Sequence, residues 1–369
     1  MGVAYVIAAL REFTDRVFGR GEAAITVPPF DGALKPNQLL EEAAVVAELA
    51  EPEDLATDGR SLFVSDGSRL LRLDGSQLHE VDRFDRNITA LVCLPDGAFA
   101  VALDGKEIRI CGGKYDGRHW QEAAGKPLCA VNALSVTAAG KLIVTDGSAT
   151  HPYDEWCHDL MSLGRSGRLL EFDPEGGAPS ELVSGLGYAF GACSAHSEIW
   201  VCESWRHRLV RYGGARGGSV LDRLPGYPSR IAPAGTGGFW LSVFATRTQL
   251  VEFVLREKAY RKRMMAEIEP QYWIAPALSS GRTFLEPMQG AHIKTMGILK
   301  PWAPPRSYGL VIRLSPDGLP RYSLHSRVDG KNHGVVAAVE CENTLFVLAK
   351  GNRRLLQLST ADLERSVLP

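Results

Sequence analysis

The chain has 369 residues, 45% of them hydrophobic and 23% charged, which is ample for a large core and fits a closed all-β unit of this length. Its formal net charge of −2 leaves no basic field, so nucleic acid is excluded as an expected partner. The seven cysteines (Cys93, Cys111, Cys129, Cys157, Cys193, Cys202 and Cys341) form no C-x-x-C pair. They read as buried free thiols in a reducing, cytoplasmic compartment, not as a disulfide frame or zinc site.

The chain opens on an apolar stretch, Gly2 to Leu10, too short to span a bilayer. Val6, Leu10, Phe13 and Val17 recur at helical spacing, with Arg11, Glu12, Asp15 and Arg16 between them. This predicts an amphipathic helix in an N-terminal extension, residues 1–50, packed on or near the body of the protein. An interfacial membrane anchor is the alternative.

From residue 51 a unit recurs: a short apolar strand, a turn rich in Gly, Asp or Asn, and a second apolar strand. Leu55-Ala56 is followed by Asp58-Gly59 and Leu62-Phe63-Val64-Ser65-Asp66. Thr89-Ala90-Leu91-Val92-Cys93 precedes Pro95-Asp96-Gly97 and Phe99-Ala100-Val101. Asn132-Ala133-Leu134 precedes Gly140 and Leu142-Ile143-Val144-Thr145-Asp146. The fourth copy pairs Phe190-Gly191-Ala192-Cys193 with Ile199-Trp200-Val201-Cys202, and the fifth pairs Arg230-Ile231-Ala232 with Phe239-Trp240-Leu241-Ser242. The sixth pairs Val335-Val336-Ala337-Ala338 with Leu345-Phe346-Val347-Leu348. Most copies add a third alternating strand, such as Arg168-Leu169-Leu170-Glu171-Phe172. A period of roughly 40 to 50 residues with several strands per unit predicts propeller blades. The expectation is an all-β, six-bladed β-propeller over residues 51–369.

Residues 255–305 break the rhythm. Arg256, Lys258, Arg261, Lys262 and Arg263 are followed by Tyr272-Trp273, Met288, Met296, Trp302 and Pro304-Pro305. This predicts a helical and irregular insertion between blades 5 and 6, as a lid, a solvated basic helix or a peripheral membrane contact.

Gly167-Arg168-Leu169-Leu170-Glu171-Phe172-Asp173-Pro174 resembles the G-R-L-x-x-Y-D-P signature of the strictosidine synthase-like proteins. Val144-Thr145-Asp146-Gly147-Ser148 and Leu224-Pro225-Gly226-Tyr227-Pro228 resemble it too. Tyr308-Gly309-Leu310-Val311 with Ser323-Leu324-His325 is similar to the last blade of the adipocyte plasma-membrane-associated protein branch. Gluconolactonases and paraoxonases are more distant in resemblance. The likeness spans roughly residues 51–358 and implies a small-molecule site at the top of the central channel.

In metal-dependent proteins of this kind, oxygen ligands at the starts of the innermost strands hold calcium, which polarises a lactone carbonyl. Glu53 and Asn132 match such ligand positions. Phe190, Ser229 and Arg230 stand where further ligands are expected, so the resemblance implies an incomplete site; no cofactor is expected beyond Ca2+ on Glu53 and Asn132, the one metal reading. His333 matches the histidine that lies two residues before the base of plant strictosidine synthase, but the base itself is replaced by Val335. Glu53, Asn132 and His333 are therefore the expected catalytic residues. Arg86, Trp156, Tyr188, Phe190 and Arg230 are expected to bind substrate. The favoured reading is a lactone or ester hydrolase. The alternatives are a carbon–nitrogen bond-forming enzyme of the strictosidine synthase type and a non-catalytic metabolite- or protein-binding propeller.

Overall fold

The computed structural model describes Thr14 and residues 26–195, 197–213, 217–283, 285–287, 294–295, 298–299 and 307–367. The expected N-terminal helix, Thr14 apart, lies outside the described residues, as do Met288, Met296, Trp302 and the Pro304-Pro305 pair.

Each repeat folds into a four-stranded antiparallel sheet, and six such sheets surround one axis. Their innermost strands are, in order, Pro52–Thr57, Ile88–Cys93, Val131–Val136, Ala189–Ala195, Gly226–Pro233 and Val335–Cys341. Each packs against the innermost strand of the next blade, and the last packs against the first. The second strands are Leu62–Asp66, Phe99–Leu103, Leu142–Asp146, Glu198–Glu203, Phe239–Thr246 and Thr344–Ala349. The inner strands are apolar on both faces because neighbouring blades cover both, so Val64, Val101, Val144, Val201, Leu241 and Val347 are fully buried. A closed ring leaves no inner edge to pair with another chain.

The ring begins earlier than residue 51. Ala44–Glu48 is the outermost strand of the sixth blade and pairs antiparallel with Arg354–Ser359, after Val335–Cys341 and Thr344–Ala349. The N-terminal side thus closes the ring on its C-terminal blade. Ahead of that strand the chain follows the fifth blade. Asn37 Nδ2 donates to Ser323 O at 2.8 Å, its Oδ1 accepts from His325 N at 3.1 Å, and the Phe30 ring stacks on Tyr308 at 5.5 Å.

The insertion also sits elsewhere than expected. It interrupts the fifth blade, between Phe239–Thr246 and Gly309–Leu314, which pair directly; Pro320–Ser326 then completes that blade. Tyr308 to His325 therefore belongs to blade five and not to the last blade. The first part of the insertion is a helix pair, Gln249–Arg256 and Lys258–Glu267. Thr248 caps the first helix, its hydroxyl accepting from Val251 N at 3.2 Å. Val251, Val254 and Met264 face inward, and Val254 and Met264 join one apolar cluster with Trp273, Trp205, Phe244 and Tyr227. The helices form a cap on the end of the ring where the innermost strands begin.

Candidate functional site

The channel mouth is built by a defect common to all six blades. In every innermost strand the pairing with the second strand slips near its start: between Pro52 and Leu55, Ile88 and Ala90, Val131 and Ala133, Ala189 and Ala192, Pro228 and Ile231, and Val335 and Ala337. Such a slip takes backbone groups out of the ladder and turns them elsewhere. The freed carbonyls are buried and need donors. Phe190 O accepts from Thr145 Oγ1 at 2.9 Å.

Arg230 supplies four of the others. Its guanidinium donates to Glu53 O at 2.8 Å, Thr89 O at 2.8 Å, Asn132 O at 2.6 Å and, more weakly, Val336 O at 3.5 Å. Asp54 Oδ1 lies 3.0 Å from Nε, and the Phe190 ring centroid lies 5.3 Å from the guanidinium carbon. Gly191 permits the approach, because a Cβ there would meet Ser229 O at 2.4 Å and Arg230 Cα at 2.6 Å. Burial works against the guanidinium charge, but Asp54, Tyr153 and Glu53 together outweigh it, so the Arg230 pKa is raised. Burial pushes the Asp54 carboxyl up to about 6 despite Arg230 and the backbone N–H groups of Leu91 and Leu55.

Above this layer lies a cavity of about 680 Å³, bounded by Glu53, Tyr153, Trp156, Leu278, Arg282 and Lys350 among others. Glu53 Oε1 accepts the Tyr153 hydroxyl hydrogen, and Glu53 Oε2 pairs with Lys350 Nζ, which sits 5.4 Å from the Tyr153 ring centroid. Burial and the adjoining Glu53 charge raise the Tyr153 phenol well above its usual value, so it remains a donor. Arg282 Nη2 donates to Gly351 O at 2.8 Å on the same wall. Pro52, Pro152, Trp156 and Leu278 supply apolar surface, while Lys106 and Arg353 add cationic groups.

The expected residues are distributed unevenly. Glu53 and Trp156 line the cavity. Asn132 lies beneath it, fully buried, with Nδ2 donating to Ala189 O at 2.8 Å and Oδ1 without a hydrogen-bond partner. Phe190 and Arg230 form the axial layer below. Tyr188 is sealed in an aromatic stack, 4.5 Å from Trp205. Arg86 is turned away, its guanidinium bound to Glu107 at 2.7 Å. His333 is also away from the cavity lining: its Nδ1 meets Ser307 Oγ at 2.7 Å and its Nε2 meets Arg327 O at 2.7 Å, so both nitrogens are engaged. Tyr153, Lys350 and Arg282 were not foreseen. Lys350 follows the second strand of its blade, at the same end of the ring as Glu53, and that position in the repeat was the available signal.

The residues at the mouth do not fit a divalent ion. A guanidinium fills the axial position among the carbonyl oxygens, and both Glu53 carboxylate oxygens are taken by Tyr153 and Lys350. Among the described residues no group of three His, Cys, Asp or Glu side chains is placed to hold a metal.

No family model matches the chain. The bovine adipocyte plasma membrane-associated protein is 25% identical over 307 residues, 70% of this chain and 73% of the relative. The Arabidopsis thaliana protein strictosidine synthase-like 6 is 26% identical over 170 residues, 45% of this chain and 44% of that protein. The chain is thus similar to proteins carrying the adipocyte plasma membrane-associated and strictosidine synthase-like names. A gluconolactonase structure from Xanthomonas campestris superposes with a TM-score of 0.54 at 14% identity, over 90% of this chain and 95% of the other, which shows a shared fold. In this chain the Gly167-Arg168-Leu169 run has a structural purpose. Arg168 is buried, pairs with Asp146 and donates to Pro127 O at 2.8 Å, locking the third blade's second and third strands to the preceding loop. The animal relatives are named for the plasma membrane; no helix among the described residues is long and apolar enough to cross one.

Proposed function

We propose that the chain hydrolyses a small lactone or ester in the mouth cavity, with Glu53 as general base. The observation carrying this reading is the Glu53 carboxylate at the cavity floor, held by a phenol on one oxygen and an ammonium on the other. Tyr153 fixes the orientation of Oε1. Lys350 is 29% exposed and sits on a flexible stem, so it can turn from Oε2 toward an incoming carbonyl.

Oε2 then takes a proton from water as the water oxygen bonds to the acyl carbon. The carbonyl electron pair moves onto oxygen, and the Lys350 ammonium and the Arg282 guanidinium stabilise the oxyanion. Collapse breaks the acyl C–O bond, and the proton on Glu53 passes to the departing alkoxide oxygen. Trp156 and Leu278 suit the hydrocarbon part of the substrate. The gluconolactonase of the same fold is named for a lactone, but its sugar is not carried over to this chain.

The carbon–nitrogen bond-forming alternative has less support, because Val335 occupies the expected base position and His333 has no free nitrogen. A pH-stat panel of lactones and aryl esters tests the hydrolytic reading. Wild type is expected to turn over at least one class, and Lys350→Met to lose on the order of 100-fold in kcat. No hydrolysis above background by the wild type, or full activity in the variant, contradicts it.

A further inference from the structure

The Arg230 guanidinium has an unusual set of neighbours. It rises from the fifth blade and touches carbonyl oxygens of the first, second, third and sixth, while the fourth offers the face of Phe190. With Asp54 Oδ1 at 3.0 Å and Glu53 Oε1 at 3.8 Å, six oxygens surround one cation. Arg230 is itself 7% exposed. The oxygens are hard donors, two of them on acidic side chains, and their number is within the six to eight that a calcium ion takes. Asn132 Oδ1, on a fully buried side chain, has no hydrogen-bond partner.

The cage exists because the strand slips described above release carbonyls at one level of every blade; neighbouring hydroxyls serve some, as Thr145 serves Phe190 O, and four others converge on Arg230. A positive group with several donors, or a metal ion, can serve oxygens that converge from four directions. A guanidinium has five N–H donors, and here it is anchored by its own backbone.

We propose that Arg230 is a tethered cation occupying a divalent-cation cage: it makes the channel self-sufficient, and shortening its side chain turns the cage into a calcium site. The proposal does not depend on which reaction the cavity carries out, because stability is its readout.

Melting of the purified full chain, with chelator and with millimolar calcium chloride, tests it. The wild type is expected to melt at the same temperature in both. Arg230→Ala leaves four carbonyls and a carboxylate without a cation, so its melting temperature in chelator is expected to fall by roughly 10 °C or more. Calcium is expected to restore most of that loss in a concentration-dependent way. Arg230→Lys keeps the charge with fewer donors, and is expected to melt at an intermediate temperature that calcium does not change. An Arg230→Ala protein insensitive to calcium, or unable to fold with or without it, overturns the proposal. So does a wild type or Arg230→Lys protein that calcium stabilises as strongly.

Discussion

Several side chains in the ring are buried in the charge state that costs least. His207, His325 and His333 are neutral in the fold, since burial lowers the pKa of each, that of His325 to about 4. In the unfolded chain a histidine titrates near 6.5. Between pH 6.5 and 4 the unfolded state therefore binds more protons than the folded one, and stability falls as pH falls. Asp54 acts in the opposite sense. Its folded carboxyl holds a proton below about 6 while the unfolded one does so only near 3.8, so its contribution grows as pH falls across that range. Burial raises the Asp146 carboxyl as well, in the same sense as Asp54, and three histidines against two aspartates leave a net loss on acidification. His325→Gln should flatten this decline between pH 6.5 and 4.5, removing a contribution on the order of 3 kcal/mol at full span. Denaturant unfolding at a series of pH values checks the slope; an unchanged slope would show that His325 is not part of it.

The elements divide into those whose signal is local and those whose signal is not. The blade strands were legible because each copy carries its own apolar strands and its own Gly or Asp turn, so the period needs no long-range information. Ala44–Glu48 was not, since its burial alternates weakly and its partner Arg354–Ser359 lies at the other end of the chain. The insertion was legible as a break in rhythm, yet its place inside the fifth blade depends on pairing across more than sixty residues, from Val243 to Leu310. The site shows the same division. Glu53 could be found from its place in the repeat, whereas Tyr153 and Lys350 reach it from loops of other blades, and Arg86 and His333 are claimed by nearer partners that the sequence does not reveal. The cap is a separable unit of this kind. Trp273 is 3% exposed, packs edge-on to His158 at 4.6 Å and donates to Ile268 O at 2.8 Å. Trp273→Ala should cost about 3–5 kcal/mol locally and expose residues 249–267 to hydrogen exchange before the blades. Equal changes in cap and blades would show that the two unfold together.

At the scale of the whole molecule, six strand slips at one level produce both features of the channel. They gather the carbonyls that Arg230 satisfies, and they bring the starts of the inner strands and the loops after the second strands to one face, where Glu53, Tyr153 and Lys350 meet. A closed ring makes this arrangement stiff, because no blade can shift without disturbing both neighbours, and stiffness is what a positioned base needs. On the proposed function, replacing Glu53 should therefore cost activity and little else. Glu53→Gln keeps the shape and still accepts a hydrogen bond from Tyr153; Lys350, partly exposed, can turn to water; and Arg230 retains Asp54 and its carbonyls. The most direct measurement is the rate of lactone or ester hydrolysis by wild type and Glu53→Gln in the presence of chelator, with melting curves of both proteins. The expected result is full wild-type activity in chelator and a loss on the order of 100-fold or more in the variant, at a melting temperature within a few degrees of the wild type. Equal rates for the two proteins, or a wild type silenced by chelator, would contradict it.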